Sequence, residues 1–482
     1  MEALSRDYGE LGPVDTTTTT GGQALGFDAV LRSIESHHPM VEAAAAGVRM
    51  ARGERLAADG GFDPKIGVKG QLTPTGYYDV SAVDAKVSQA TPLWGLELDA
   101  GYRIGVTGDD DGLATYDERA TLDGGELKGG LRLPLLRDGP IDARRADLRR
   151  STVSLRSAEA ELDRTGLSLV VAGAQSYWDW VAAGESYRVV RALVALAETR
   201  NTQLGVRIDA GDAAEIDRAE NLRSLLKRRD ALIKAERKLQ KAAIKLSLFY
   251  RSRGGDPVVP SSSRLPKQVP AAQALPPDER EAGLVRAMNG RPEITVATAA
   301  EDRARVDAEL ANNGILPRVD LEFKFSQDFG TDPALNDSFS LKSLEPFEIK
   351  ALVSVELPVL LRKGRGKAGQ ATAKLDAATA KLQFTREKLR AEVQDLWSEL
   401  NAAVRRAQVA AQSANVAEVV AAAERVRLVE GATSPFILNL REQAAADARI
   451  SEIDARASAQ VALTAWTWLT MVQRRVPAES AQ

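Results

Sequence analysis

Hydrophobic and polar residues alternate with period two in several short stretches of this chain. Ile66, Val68 and Leu72 alternate with Lys65, Lys69 and Gln71, apart from the glycines between them. Leu127, Leu131, Leu133 and Leu135 alternate with Lys128, Arg132 and Pro134. Val319, Leu321, Phe323 and Phe325 alternate with Asp320, Glu322, Lys324 and Ser326, and Ile349, Ala351, Val353, Val355 and Leu357 fill one face of a further segment. This period predicts strands with one apolar and one wet side. A soluble sandwich gives the pattern, and so does a membrane barrel with lipid outside and water inside. The stretch from Val83 to Val106 has room for one or two more strands, and could serve as barrel wall, surface hairpin or cover. Tyr77, Tyr78, Tyr102, Tyr116, Phe329 and Phe339 fall near predicted strand ends, where a barrel carries its aromatic girdle, although aromatics favour strands in general.

Between the strand segments the period changes to that of helices. A helix is predicted from about Phe27 to Asp59, broken near His38-Pro39. Ile141 to about Val206 contains no proline, which predicts roughly 100 Å of rod, and a partner from about Asp212 to Tyr250 adds on the order of 60 Å. The second half repeats this from about Lys367 to Glu430 and from Pro435 to Gln473. Such helices need neighbours alongside, as in coiled coils. Ile450, Ile453, Ala457 and Val461 have the spacing of a packing seam, while Arg223, Lys227, Arg228, Lys234, Glu236 and Lys238 read as a solvated face. Asp212 after Gly211 can cap the next helix, and Ser434-Pro435 after Gly431 is an N-cap followed by proline in the first turn.

The halves are copies of each other. Leu131-Arg-Leu-Pro134 and Val355-Glu-Leu-Pro358 each end a strand, and a basic, Gly-bearing turn and an Ala-rich helix follow. Trp178 corresponds to Trp397, and Val206-Arg-Ile-Asp-Ala-Gly211 to Val426-Arg-Leu-Val-Glu-Gly431. A repeat this long is a duplicated domain. The expected division is a flexible N-terminal segment at 1–23, a first strand and long-helix repeat at 24–250, a crossover linker at 251–289, a second repeat at 290–476 and a tail at 477–482.

Composition narrows the chemistry. The net charge is −3 over 482 residues with the signs mixed, so nothing points to a nucleic-acid partner. The absence of cysteine excludes disulfides, thiol catalysis and Cys-based metal sites. No apolar run approaches a transmembrane helix, and the first residues lack the pattern of a secretory signal, which an exported protein would need.

Three local motifs carry little chemistry. Gly364-Arg-Gly-Lys-Ala-Gly369 fits a dinucleotide fingerprint, but its strand is amphipathic and no parallel strand follows, so a tight strand-to-helix turn is expected. His37 and His38 are adjacent and make a poor metal pair. Trp178, Trp180 and Trp397 read as packing between helices. No enzyme activity and no cofactor are expected.

The duplicated strand–helix unit, the two Leu-Pro strand ends, Ala287-Met-Asn-Gly-Arg-Pro-Glu293 with its looser copy at Ser36-His-His-Pro-Met-Val41, and the Gly-centred helix turns together resemble the TolC-like outer-membrane efflux protein family over roughly residues 25–473. The resemblance implies an α+β membrane fold, a trimeric outer-membrane β-barrel continued by a long α-helical periplasmic tunnel. It implies an exit duct for a tripartite efflux or type I secretion system in a Gram-negative outer membrane. The implied partners are two further copies, outer-membrane lipid, a periplasmic adaptor (membrane fusion protein) and an inner-membrane RND or ABC transporter. Gly211 and Gly431 become adaptor-docking tips, and Pro134 and Pro358 strand-to-helix junctions. The family often narrows its tunnel with aspartates after the second helix turn, where this chain has neutral Ala432 to Leu440. Asp212, Glu215 and Asp217 after the first turn are the candidate constriction instead, although acids at a helix start also cap it. A soluble coiled-coil scaffold is the alternative; it leaves the amphipathic strands unexplained.

Overall fold

The computed structural model describes residues 23–73, 80–105, 124–211, 214–329 and 347–470. Tyr77, Tyr78, Tyr116, Phe339, Asp212 and the two terminal segments of the expected division lie wholly or mostly outside them. In chain order the elements are α1 (Phe27–His37), α2 (Pro39–Asp59), β1 (Lys65–Thr73), β2 (Val80–Ala90), β3 (Glu97–Gly105), β4 (Glu126–Pro134), α3 (Ala143–Asp209) and α4 (Glu215–Ser247), followed by α5 (Glu279–Gly290), α6 (Pro292–Asn313), β5 (Arg318–Asp328), β6 (Phe347–Glu356), α7 (Arg362–Val429) and α8 (Pro435–Thr470). Each half therefore runs helix, helix, strands, very long helix, helix. The described part of Val83–Val106 holds most of β2 and all of β3, so among the described residues the first half carries four strands and the second two. No described helix is long and apolar enough to cross a membrane.

The chain divides into two compact units whose boundaries fall inside α2, α3, α6 and α7. One comprises Met1–Ala46, Ala160–Ile294 and Thr385–Gln482 and is helical. Its core joins Leu25, Val30 and Ile34 to Trp180, Val181, Leu246 and Ile453, all fully buried. A second cluster gathers Val393, Leu400, Ala459 and Trp466. Trp178 sits in the first cluster and Trp397 packs against the second, its ring 5.0 Å from that of Trp466, so the equivalent tryptophans are packing residues. The seam read from spacing is real at Ile453 and Ala457, which are buried. Arg228 departs from expectation. It is 3% exposed, because α4 turns that position toward α8.

His38 is buried at the end of α1, before α2, and its Nδ1 accepts the N–H of Met40. Proline at position 39 cannot donate, so the break between the helices sits where its ring demands. The corresponding Arg291-Pro292 break separates α5 from α6, with buried Arg291 donating to both carboxylate oxygens of Glu293 at 2.9 and 2.7 Å. Burial raises the Glu293 carboxyl, but these bonds and the Arg291 charge prevail and hold it below its ordinary value.

The other unit comprises Gly47–Glu159 and Thr295–Phe384 and contains the sheet. Six antiparallel strands lie in chain order, β1 to β6. Here α3 is laced to α6 by Arg149 to Glu309 at 2.8 Å, Arg150 to Asp307 at 2.5 Å, and Arg156 to Asp302. The glycines Gly364, Gly366 and Gly369 lie within the first turns of α7, which begins at Arg362 and not at Lys367. Gly364 lets the helix approach the backbone at Gly314. The expected tight turn is the segment before it, where Leu361 adopts φ +50°.

Candidate functional site

The sheet has two chemically opposite faces, and its register keeps them separate across all six strands. One row runs Ile66, Val87, Ala100, Gly129, Phe325, Ile349 and another Val68, Ala85, Tyr102, Leu127, Gln327, Phe347. Ile66, Val68 and Leu72 on β1 and Ile349, Val353 and Val355 on β6 are each 65–79% exposed, which water alone would penalise. Gly129 belongs to this face because the ring of Phe325 lies flat over it, and a Cβ there would fall 2.0 Å from the ring.

The opposite face is charged and concave. It lines a cleft of about 600 Å³ walled by Lys69, Asp84, Lys86, Asp99, Arg103 and Lys128 among others. Its charges pair across the strands. Arg103 donates to both oxygens of Asp84 at 2.8 and 3.1 Å, Lys86 meets Asp99 at 3.2 Å, and Arg132 reaches Glu97 at 3.3 Å and Asp320 at 2.9 Å. Opposite charges facing each other across a ladder favour this register over its neighbours. The result is a wettable wall of mixed sign, with no nucleophile–base pair in the sheet and, among the described residues, no group able to hold a metal ion.

The strand-to-helix junctions sit where the repeat places them. Pro134 ends β4, and Pro358 follows β6 by two residues. Asp138, four residues past Pro134, and Leu361, three past Pro358, both take left-handed backbone (φ +67° and +50°). At the first junction Arg145 donates to the carbonyls of Asp138, Gly139 and Pro140, tying the turn to the start of α3. The β2–β3 turn packs on the same spot. Gly95, at φ +70°, leaves no room for a Cβ beside the Asp138 carbonyl, and Trp94 stacks its indole over Gly139.

Both helix turns end in left-handed glycine, Gly211 at φ +80° and Gly431 at φ +74°. At the second, Ala432 N–H donates to Arg427 O at 2.8 Å and Gly431 N–H to Leu428 O at 3.1 Å, the paired bonds of a Schellman cap. Ser434 Oγ then accepts the N–H of Ile437 at 3.4 Å to start α8. After the first turn the Asp217 carboxylate accepts the N–H of Ala214 at 3.3 Å, so this acid caps α4. Arg218 lies between Asp209 at 3.3 Å and Glu215 at 3.6 Å, all three well exposed.

A site that the sequence reading missed lies eleven residues beyond Gly431. Glu442, 1% exposed, accepts from Arg200 at 2.7 Å, Arg425 at 3.1 Å and Arg228 at 3.3 Å, so one carboxylate on α8 binds arginines from α3, α7 and α4. Burial raises its pKa, but the Arg200 bond and charge, with Arg425 and Arg228, outweigh burial and hold the carboxyl below its ordinary value. Arg228 is pushed down by desolvation and by Arg200, and Glu442 offsets part of that. The signal was available. Extended backward, the apolar seam of α8 passes Ala446, Ala445 and Leu438, all buried, and Glu442 falls among them.

Residues 283–469, from α5 to the end of α8, match the family model described as outer membrane efflux protein. The whole chain is similar to the outer-membrane channel OprN, with TM-score 0.63 and 16% identity over 94% of this chain and 91% of that one. It is as similar to the outer membrane protein VceC from Vibrio cholerae (TM-score 0.62, 16% identity, 92% and 96% covered). The Campylobacter jejuni CmeC outer membrane channel matches at TM-score 0.60 and 13% identity, covering 98% and 93%. The fold is that of these outer-membrane channel proteins. No curated protein matches the chain by sequence. The family match covers residues 283–469, while the likeness to these outer-membrane proteins in three dimensions covers 92–98% of the chain.

Proposed function

We propose that this chain is the outer-membrane exit duct of a tripartite efflux or type I secretion system, conducting substrates passively from a periplasmic adaptor and inner-membrane pump to the exterior. One observation carries the reading. A six-stranded sheet exposes a predominantly apolar face and sets a charged, concave one opposite it, on a fold shared with the outer-membrane channel OprN. Lipid satisfies the first face and a water-filled lumen the second. A soluble coiled-coil scaffold would leave the apolar face in water.

In this reading three copies share one barrel, and the two repeats supply equivalent strand-to-helix junctions at Pro134 and Pro358. The helical turns at Gly211 and Gly431 dock the adaptor, which links to an RND or ABC transporter. Asp212, Glu215 and Asp217, repeated three times, line the narrow end. Asp217 also caps α4 and Arg218 offsets part of the Glu215 charge, but Glu215 stays well exposed and able to face an opening.

The test is to express the chain behind an export signal. It should fractionate with outer membranes, run as a trimer in mild detergent and open steady conductances in planar bilayers. A stable monomer that stays soluble without detergent overturns the proposal.

A further inference from the structure

We infer that neighbouring copies of this chain join β1 of one to β6 of the next in a single register, with Lys65 opposite Glu356, so that each copy adds six strands to the barrel. The inference rests on the duct reading above and goes beyond it by fixing the joint and the width.

The sheet ends in two strands that are paired on one side only, β1 and β6. Such edges are templates for further pairing. β1 leads away from α2 and β6 returns to α7, so side by side they run antiparallel, as the five existing pairs do. The register follows from the sheet itself. A row perpendicular to the strands starts at Lys65 and passes Ser88, Asp99, Gly130 and Lys324 to reach Lys350. β6 continues past that row to Glu356, six residues nearer its helix. If the two helix-proximal strand ends lie level at one membrane surface, Lys65 of one copy meets Glu356 of the next.

Six is even, so this offset keeps both faces intact. Ile66 then faces Val355, Val68 faces Val353, Gly70 faces Ala351 and Leu72 faces Ile349, all on the apolar side. An odd offset would set this row against Ser354 and Glu356. On the polar side Lys65 and Glu356 have no ion pair among the described residues, and the joint would give them one like those inside the sheet.

The geometry closes. Six residues of displacement over six strands is one residue per strand. With a rise of about 3.3 Å and a strand spacing of about 4.8 Å, the tilt is about 35°, within the range of membrane barrels. The tilt does not depend on the number of copies. One copy closed on itself would measure only about 12 Å across its backbone, too narrow for inward-facing Arg103, Lys128 and Arg132. Three copies make eighteen strands and roughly 34 Å, a class of barrel that leaves an open aqueous lumen. The strand wall would therefore pass bulky solutes and leave selection to the helical end.

The chain lacks cysteine, so disulfide mapping has no background. In full-length protein in outer membranes, Val68→Cys with Val353→Cys should cross-link copies to each other on oxidation, several-fold more than the shifted pair Val68→Cys with Ala351→Cys. Preferential cross-linking of the shifted pair, a disulfide within one copy only, or no cross-link in protein that still conducts would overturn the joint. As a second readout, Lys65→Glu should weaken the detergent-resistant oligomer, and adding Glu356→Lys should restore it; failure of that rescue counts against the register. Loss of the duct reading is separately visible, as absent conductance in protein that does cross-link at 68 and 353.

Discussion

Replacing Glu442 with leucine should destabilise the helical unit more than any other single charge removal in it. Leucine matches the seam formed by Leu438, Ala445 and Ala446, so packing changes little. What changes is the fate of the arginines. Arg425 is half exposed and can turn to water. Arg200 keeps its bond to Asn439 Oδ1 at 2.5 Å. Arg228, 3% exposed, keeps only contacts of 3.3–3.5 Å to the Leu193 carbonyl and to Asn439, and no carboxylate. A buried charge stripped of its partner costs about 3–5 kcal/mol. Removing both partners is far milder, so Glu442→Leu with Arg228→Leu should recover most of the loss. The depressed carboxyl adds a pH signature. Its contribution is complete above the unfolded value near 4.5 and disappears as pH falls through the lower folded value. Wild type should thus lose stability in acid, whereas the leucine variant should show a flatter profile. Helix loss in urea, followed by far-ultraviolet circular dichroism in detergent at pH 7 and across pH 3 to 6, measures both effects. A cost below about 1 kcal/mol, or a double variant no better than the single one, would show that the arginines are satisfied without Glu442.

Three further outcomes are expected. Gly431→Val forces a β-branched residue into φ +74°, at a cost of about 1–2 kcal/mol; adaptor cross-linking at the turn should fall while oligomers persist, and Gly431→Asn should retain more of it. Gly129→Val should impair barrel assembly, read as loss of heat-modifiable oligomer, because its side chain would occupy the place of the Phe325 ring; adding Phe325→Ala should relieve it. Replacing Asp212, Glu215 and Asp217 with Asn or Gln should reduce cation selectivity and divalent-cation block in planar bilayers with little effect on folding; unchanged values would make these acids caps and surface charges.

Much of this architecture is written in local patterns. The Leu-Pro strand ends, the break at His38-Pro39 and the glycines at 211 and 431 each demand a particular backbone, so their places were legible without a structure. The strands between Val83 and Val106 were less so, because Ala85 and Ala100 dilute the apolar row that the register of β2 and β3 restores. Gly364 to Gly369 looked like a loop, since glycine disfavours helices, yet close approach to Gly314 needs it there. The partners of Arg228 and Glu442 were opaque for a different reason, although the α8 seam itself marks Glu442 as buried. A charge inside a seam is tolerable only when its partners arrive from other helices, and those partners lie up to 242 residues away in the sequence.

Strand order has a consequence for assembly. All five pairings in the sheet join consecutive strands, but β4 meets β5 across the whole of α3 to α6, with Arg132 and Asp320 separated by 188 residues. The sheet is therefore two meanders and one stitch. Within the meander from β1 to β4 and the hairpin of β5 and β6 no connection exceeds 20 residues, against 183 between β4 and β5. The stitch must wait until the chain has passed through all of α3 to α6, and it bears the largest loop-closure entropy in the sheet. Arg132, which reaches Glu97 on one side and Asp320 on the other, sits at that late step.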